Sequence, residues 1–285
     1  MEFARKFYII AAVFLLMAIL ACPSAGHFMQ GGGVSPVYVE EIAEEMEAAS
    51  SAKICWGLKR GTDGRPPEVG SKAKELLSQH NGLYLGDASE KKIYLTFDEG
   101  YENGYTAQIL DTLRSKNVKA IFFITGDFFE AESDLVRRMV EEGHEVGNHT
   151  MNHPSLTEVS RAKAEQEILE LSRQFKDKFG KDMRFLRPPK GEFNQTVLEL
   201  SQDLSMRCLF WSFAYQDWLV HKQQGPQHAL QMVTDNLHNG AVLLLHAVSS
   251  DNSQALGDII DQSRKLGYEF GTPDDLYQVS SRGQP

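Results

Sequence analysis

The feature that most constrains the fold is the regular alternation of short apolar runs with helix-period segments after residue 90. Residues 119–125 (KAIFFIT) form a continuous apolar run, which is typical of a strand buried on both faces. Segments with the helical period separate this run from similar ones, which gives about seven β/α units. Such alternation predicts a parallel sheet covered by helices. A closed barrel and an open doubly wound sheet both satisfy the pattern.

The predicted strands are 92–97, 119–125, 144–147, 183–186, 206–213, 241–246 and 268–270. The predicted helices are 105–115, 133–142, 160–179, 194–204, 226–238 and 252–265. A chain of 285 residues accommodates one α/β barrel.

Composition excludes several classes of protein. Apolar residues make up 42% of the chain and charged residues 24%, as expected for a chain that buries a core. The net charge is −10 and no basic stripe appears, so we expect no nucleic-acid partner. Three cysteines are too few for a disulfide framework. No glycine-rich loop follows the first predicted strand, which argues against nucleotide binding.

The first 25 residues differ from everything that follows them. Arg5 and Lys6 precede residues 7–21, which carry no charge. This run is shorter than the roughly 20 residues of a membrane span and suits the apolar part of a signal peptide. Two alternatives stay open: the segment remains uncleaved as a membrane anchor, or Cys22 is a lipidation site. Each of the three predicts an exported protein.

The rest of the chain divides into two parts. Residues 26–89 are predicted to be a linker and an N-terminal arm, because glycines and prolines interrupt the arm without forming a repeat. Residues 90–280 carry the β/α units and form the main domain.

Polar groups collect where the predicted strands end. In both architectures the site lies at the carboxyl ends of the strands. Five strands lead there to a carboxylate pair, a histidine pair, an arginine, an aspartate with a tryptophan, and a histidine. These groups are Asp98 with Glu99, His149 with His153, Arg187, Asp217 with Trp218, and His246. We expect them to converge on one site.

His149 and His153 are four residues apart. One helical turn would place both imidazoles on the same face, which suits a divalent metal. The same spacing also arises by chance between loop histidines. The position at a strand end, beside the carboxylates, favours the metal.

The other groups suggest acid–base chemistry. Adjacent side chains of an extended strand point to opposite faces, so Asp98 and Glu99 would serve as a general base and as a group near the metal. Arg187 lies in a rigid proline loop, from which its guanidinium would orient Asp98 and lower its pKa. A carboxylate from Asp217 would raise the pKa of His246 and make it a general acid.

These residues resemble the polysaccharide deacetylase family, also called carbohydrate esterase family 4, over residues 90–280. Five ordered motifs carry the resemblance: TFDE at 96–99, HTMNH at 149–153, RPPKG at 187–191, AYQDW at 214–218 and LLH at 244–246. The resemblance implies a distorted (β/α)7-type barrel behind a loop-rich arm. It also implies a metal-dependent enzyme that removes N-acetyl groups from a glycan.

The resemblance assigns a role to each motif residue. The divalent metal, with zinc expected, would be held by His149, His153 and Glu99. The catalytic residues would be Asp98, Arg187, Asp217 and His246, and the substrate pocket would contain Trp218, Leu244 and Lys190.

Segments outside the five motifs narrow the resemblance. Residues 56–60 (WGLKR), 84–87 (YLGD) and 100–106 (GYENGYT) are similar to the spore-cortex branch of the family. That branch deacetylates N-acetylmuramic acid whose peptide has been removed, and the product closes to muramic δ-lactam. The expected partner is therefore a peptide-free peptidoglycan strand, bound by a monomer.

Two positions depart from the family pattern. Glu99 stands where the family has a second aspartate, a metal ligand, and Ala214 replaces the first aspartate of the fourth motif. Two alternatives therefore stay open. One is a deacetylase of other N-acetyl glycans, such as peptidoglycan glucosamine or chitin-like chains, and the other is a catalytically silent glycan-binding module.

Overall fold

A computed structural model describes residues 51–281 and residue 284. The predicted leader, with Arg5, Lys6 and Cys22, and the first part of the predicted linker lie outside the described residues. Among the described helices, none combines the length and the apolar character needed to cross a bilayer.

The described strands are β1 (Ile54–Cys55), β2 (Leu58–Lys59), β3 (Glu68–Val69), β4 (Lys92–Glu99), β5 (Ala120–Ile124), β6 (Glu145–Asn148), β7 (Phe185–Leu186), β8 (Glu192–Phe193), β9 (Arg207–Cys208), β10 (Val242–His246) and β11 (Glu269–Phe270). The described helices are α1 (Ser71–Gln79), α2 (Thr106–Ser115), α3 (Gly126–Ala131), α4 (Ser133–Glu141), α5 (Arg161–Phe179), α6 (Gln195–Asp203), α7 (Pro226–Thr234), α8 (Ser250–Lys265) and α9 (Pro273–Gln278).

A parallel sheet forms the centre of the fold. Its strands follow the order β10-β4-β5-β6-β7-β9, and β11 pairs with the first residues of β4. Beyond β9, Phe213 forms a bridge with Leu243 of β10, so the path returns to its first strand. The sheet curls into a distorted barrel with seven strands, which confirms the barrel rather than the open sheet.

The two faces of the sheet bury different side chains. Tyr94, Phe123 and Val242 belong to an inner apolar cluster, whereas Phe97 and Phe122 belong to a larger cluster beneath the helices. Side chains alternate along a strand. Asp98 and His246 therefore continue the inner series at the carboxyl ends of β4 and β10, where they are register partners.

Several parts of the structure differ from the sequence predictions. Helices α1, α3 and α9 are absent from those predictions: α1 follows Gly70, which offers no side-chain cap, and α3 and α9 have only six residues each. The predicted strand 206–213 is reduced to β9. Its continuation makes only isolated bridges, Leu209 to Leu83 and Phe213 to Leu243, because the chain there passes from one strand neighbour to another.

The arm supports the loop that follows β7. The backbone N–H of Trp56 donates to the carbonyl of Gly191 at 2.8 Å, and its indole N–H donates to the carbonyl of Trp211 at 3.0 Å. Gly191 has a φ of 67°, and a Cβ there would lie 2.9 Å from the Trp211 ring. Only glycine fits this contact, so the arm and the arginine loop pack closely.

Candidate active site

Asp98 and Arg187 form a buried ion pair inside the barrel. The guanidinium Nη1 lies 2.6 Å from Asp98 Oδ1, and the Arg187 side chain is fully buried. Its other N–H groups donate to the carbonyls of Leu209 at 3.0 Å and Phe210 at 3.4 Å. The guanidinium also stacks 4.1 Å above the centre of the Phe123 ring. These contacts fix the direction of the charge that faces Asp98.

The ion pair determines the charge of Asp98. Burial alone would raise the pKa of this carboxyl, but the Arg187 guanidinium, together with His149 and His246, outweighs burial and holds the pKa below its usual value. Asp98 is therefore ionised at neutral pH. Its second oxygen, Oδ2, lies 3.6 Å from Nε2 of His149.

The two histidines of the HTMNH motif face each other. His149 Nδ1 lies 2.8 Å from the carbonyl of Arg187, which can only accept, so Nδ1 carries the proton and Nε2 has the free lone pair. The Nε2 atoms of His149 and His153 are 3.2 Å apart. Two nitrogens bound to one tetrahedral zinc would lie about 3.3 Å apart. The pair therefore fits two ligand positions of one divalent ion.

Burial supports the same assignment. It lowers the pKa of His149 to about 4, although the nearby Asp98 carboxylate opposes the shift. It also lowers the pKa of His153. Both imidazoles are neutral at pH 7, which is the form that binds metals.

The histidine loop has a constrained backbone. Thr150 and His153 have positive φ values of 69° and 55°, which are uncommon for residues other than glycine. Asn148 Oδ1 accepts from the N–H of Thr150 at 2.8 Å. On α5, the buried Glu167 accepts from the N–H of Asn152 at 2.8 Å and from its side-chain amide at 3.0 Å. These bonds hold the backbone that presents the two imidazoles.

Glu99 is placed differently from Asp98. It occupies the next position of β4, and its side chain is completely buried. Neither carboxyl oxygen has a hydrogen-bond partner, and burial together with Glu102 and Asp98 raises the pKa well above its usual value. Within residues 51–281, no three His, Cys, Asp or Glu side chains are grouped to share one metal ion. Ligation by Glu99 stays a prediction.

His246 and Asp217 form the second charged pair of the site. His246 Nδ1 lies 2.7 Å from Asp217 Oδ1, and the backbone N–H of His246 donates to Oδ2 at 2.8 Å. Burial alone would lower the pKa of His246, but the Asp217 carboxylate, together with Asp98, outweighs burial and raises the pKa. His246 therefore holds its proton more firmly than an ordinary imidazole does, with Nε2 free to donate it.

The three predicted pocket residues lie around these groups. Trp218 is 43% exposed, and its ring centre lies 5.4 Å from that of His246. Leu244 is buried two residues before His246 on the inner face of β10. Lys190 is exposed in the arginine loop, and its charge contributes to the lowered pKa of His153. The pocket thus combines an exposed aromatic ring, an apolar floor and a cation.

The barrel brings together Asp98, Arg187, His149, His153, Asp217 and His246. Three residues that hold them are not among the site residues predicted from the sequence: Glu167 on α5, Asn252 on α8 and Tyr215 before Asp217. Tyr215 and Asn252 lie next to recognised motif residues in space, but only Tyr215 lies within a motif in the sequence. No pattern in the sequence points to Glu167 or Asn252.

Comparison with known proteins agrees with this geometry. A sequence profile described as polysaccharide deacetylase matches residues 85–209. The peptidoglycan-N-acetylmuramic acid deacetylase PdaA of Bacillus subtilis is 40% identical over 235 residues, which cover 82% of this chain and 89% of PdaA. A peptidoglycan-N-acetylglucosamine deacetylase of Bacillus cereus is 36% identical over 191 residues, 66% of this chain and 89% of the relative.

A solved structure supports the same relationship. The structure of B. subtilis PdaA, described as a family 4 carbohydrate esterase, superposes with a TM-score of 0.77 at 40% identity and covers 79% of this chain and 97% of that one. Deacetylases of this family are generally metal-dependent, in agreement with the histidine pair. The chain belongs to the polysaccharide deacetylase family, carbohydrate esterase family 4, and is a polysaccharide N-deacetylase.

Proposed function

We propose that this enzyme hydrolyses the N-acetyl group of N-acetylmuramic acid in peptidoglycan, on glycan strands whose peptides have been removed. The product would close to the muramic δ-lactam of spore cortex. The similarity to PdaA supports the substrate. The observation that carries the reaction type is the placement of the Arg187-bound Asp98 carboxylate and the Asp217-bound His246 imidazole as register partners on neighbouring strands.

Asp98 is the general base in this proposal. Arg187 keeps it ionised and aims it, so that it accepts a proton from the water that attacks the acetamide carbonyl. The positive charge of Arg187 then remains beside the protonated carboxyl. This pairing limits how basic Asp98 becomes and favours its role in directing the water.

His246 is the general acid. Asp217 raises its pKa, which favours the protonated form that this role needs. Its Nε2 donates the proton to the nitrogen of the breaking amide bond, and the sugar leaves as a free amine. Asp217 remains hydrogen-bonded to Nδ1 throughout and holds the ring in one orientation.

His149 and His153 would hold a divalent metal, zinc in our proposal, with Glu99 as a third candidate ligand. When bound, such an ion polarises a carbonyl and lowers the pKa of its water.

Lys190 and Trp218 would recognise the substrate. Muramic acid carries a carboxylate on its lactyl group, and the exposed ammonium of Lys190 beside the histidine pair would attract it on a chain whose net charge is −10. The exposed ring of Trp218 would cover the acetyl group next to His246. Leu244 would line the apolar floor below the methyl group.

The N-terminal sequence supports export of the enzyme, and we expect the exported enzyme to act as a monomer. The charge-free run at residues 7–21 follows two basic residues, as in a signal peptide or an uncleaved anchor that would attach the enzyme to the membrane. Peptidoglycan lies outside the cytoplasmic membrane, so an exported enzyme meets its proposed substrate.

Mass spectrometry of matched glycan strands tests the proposal. The enzyme is incubated with peptide-free and with peptide-bearing peptidoglycan, and each muropeptide is examined for loss of acetyl from muramic acid or from glucosamine. We expect loss from muramic acid in the peptide-free strands only. Loss from glucosamine would support the alternative that the B. cereus relative suggests, and absence of acetate release with metal supplied would support a silent glycan-binding module.

A further inference from the structure

We propose that Asn252 is a positioning residue for the general acid. A series of hydrogen bonds, Tyr215–Asn252–Asp217–His246, holds the His246 imidazole in one orientation at the carboxyl end of β10. The inference rests on the proposed function, in which His246 protonates the leaving amine. Asn252 belongs to the first turn of α8 and is 1% exposed.

The orientation of the Asn252 amide follows from its neighbours. Asn252 Nδ2 lies 2.5 Å from Asp217 Oδ2, and a carboxylate can only accept a hydrogen bond, so the NH2 group faces Asp217. The carbonyl Oδ1 then faces the hydroxyl of Tyr215 at 2.5 Å, which must donate. Burial raises the pKa of Tyr215, so its hydroxyl keeps the proton that this bond needs.

The same amide also contacts the acid residue directly. Asn252 Nδ2 lies 3.3 Å from the backbone carbonyl of His246. One NH2 group thus connects the carboxylate to the end of β10, and Asp217 Oδ2 accepts from both Asn252 and the N–H of His246. Only Oδ1 of Asp217 is left for the imidazole. Loss of the amide would free the carboxylate to rotate away from His246.

Asn252 is itself held in place by the start of its helix. Its backbone N–H donates to Ser249 Oγ at 3.1 Å, and Ser249 Oγ donates to Gln223 at 2.6 Å. Gln223 Nε2 in turn donates to the backbone carbonyl of Asp217 at 2.8 Å. The helix start and the loop that carries Asp217 therefore form one hydrogen-bonded unit.

The charged or titratable groups that face His246 are few. Asp217 is closest, and Asp98, Arg187 and His153 act across the cleft. Asn252 has no charge, and its direct contact with His246 is to the backbone carbonyl, so it reaches the imidazole only through the position of Asp217. Its effect should therefore vanish when Asp217 cannot act.

A double-mutant cycle with pH profiles tests this role. Asn252→Leu removes the amide at nearly constant volume. We expect kcat to fall about tenfold with KM within about twofold, and the basic limb of the kcat profile to move to lower pH. In the Asp217→Asn background, the same substitution should change kcat by less than about twofold. If the leucine variant does not fold, Asn252→Ser replaces it in the cycle. The shorter serine hydroxyl cannot contact both Asp217 and Tyr215.

The matched control is Asn194→Leu. Asn194 is 4% exposed and caps the start of α6, so its loss lowers stability without moving the pH profile. NMR titration of the His246 imidazole gives a readout independent of turnover, and Asn252→Leu should lower that pKa. Additive effects in the cycle, or an unchanged imidazole pKa in a folded variant, would overturn the positioning role. If wild-type enzyme releases no acetate, the proposed function fails, and the NMR titration still decides the role of Asn252.

Discussion

The Arg187 guanidinium binds Asp98 at 2.6 Å, while the backbone carbonyl of the same arginine accepts from His149 Nδ1 at 2.8 Å. One residue therefore orients both the proposed base and one of the proposed metal ligands. The loop that carries Arg187 is packed against Trp56 of the arm through Gly191. The arm thus supports the loop that positions both Asp98 and His149.

Asp98→Asn tests the general base. The amide keeps an acceptor for Arg187 but cannot take a proton, so we expect acetate release to fall about 10³-fold. The substitution also leaves the buried guanidinium without its counter-charge, which costs up to about 3 kcal/mol of stability. Acetate release and the melting temperature are measured together, with glycan binding as the control. Turnover at the wild-type rate in a folded variant would remove Asp98 from this role.

Metal binding distinguishes the histidines from Glu99. His149→Gln removes one of the two imidazole Nε2 atoms that would bind the ion, so zinc affinity should fall by more than about 100-fold. Glu99→Gln should weaken zinc binding much less, because the side chain of Glu99 belongs to the face of β4 opposite to that of Asp98. Calorimetric titration of both variants with zinc measures the difference. Equal losses would establish Glu99 as a ligand.

Glu167 should affect the metal although it lies on a helix outside the motif. In Glu167→Gln, a side-chain NH2 group would face the backbone N–H and the side-chain NH2 group of Asn152. A donor cannot accept from these groups, so the bonds that hold the histidine loop are weakened. We expect a 10- to 100-fold loss of zinc affinity, the usual range for residues that orient metal ligands. Glu165→Gln on the same helix is the matched control. Identical zinc affinity in the two variants would show that the loop does not depend on Glu167.

The catalytic constellation was predictable because chemically active residues directly follow apolar strands. Asp98, His149, Arg187 and His246 each end such a strand, and the carboxyl edge of a parallel sheet collects them. The parallel sheet covered by helices follows from the number and spacing of the β/α units. Whether the sheet closes depends on isolated bridges, from Phe213 to Leu243 and through Leu83 and Leu85 to Leu209 and Ala241, which the sequence pattern does not reveal.

The supporting residues could not be predicted for a physical reason. Glu167 occurs among charged residues of a long amphipathic helix, where a glutamate normally faces water, yet it is only 2% exposed. Its partner Asn152 lies 15 residues away in the chain, and Asn252 lies 35 residues from Asp217. Such pairings depend on how the helices pack on the barrel. The orientation of Glu99 likewise depends on how far β4 extends.

His144 predicts a pH dependence of stability that is separate from catalysis. Its Nδ1 accepts from the N–H of Ala120 at 3.2 Å, and its Nε2 is buried without a partner. Burial, followed by the charges of Lys119 and Arg138, lowers the pKa to about 4 from 6.5. The unfolded chain therefore binds a proton to this residue at higher pH than the folded protein does.

The expected result is a loss of stability on acidification. The contribution of His144 is complete above pH 6.5 and decreases as the pH falls towards 4, by roughly 3 kcal/mol in all. His144→Asn keeps an acceptor for Ala120 and removes the titration, so its free energy of unfolding should fall less between pH 7 and pH 4.5. The exposed His221→Asn is the control and should retain the wild-type slope. Urea unfolding at several pH values measures all three proteins, and parallel curves for wild type and His144→Asn would contradict the prediction.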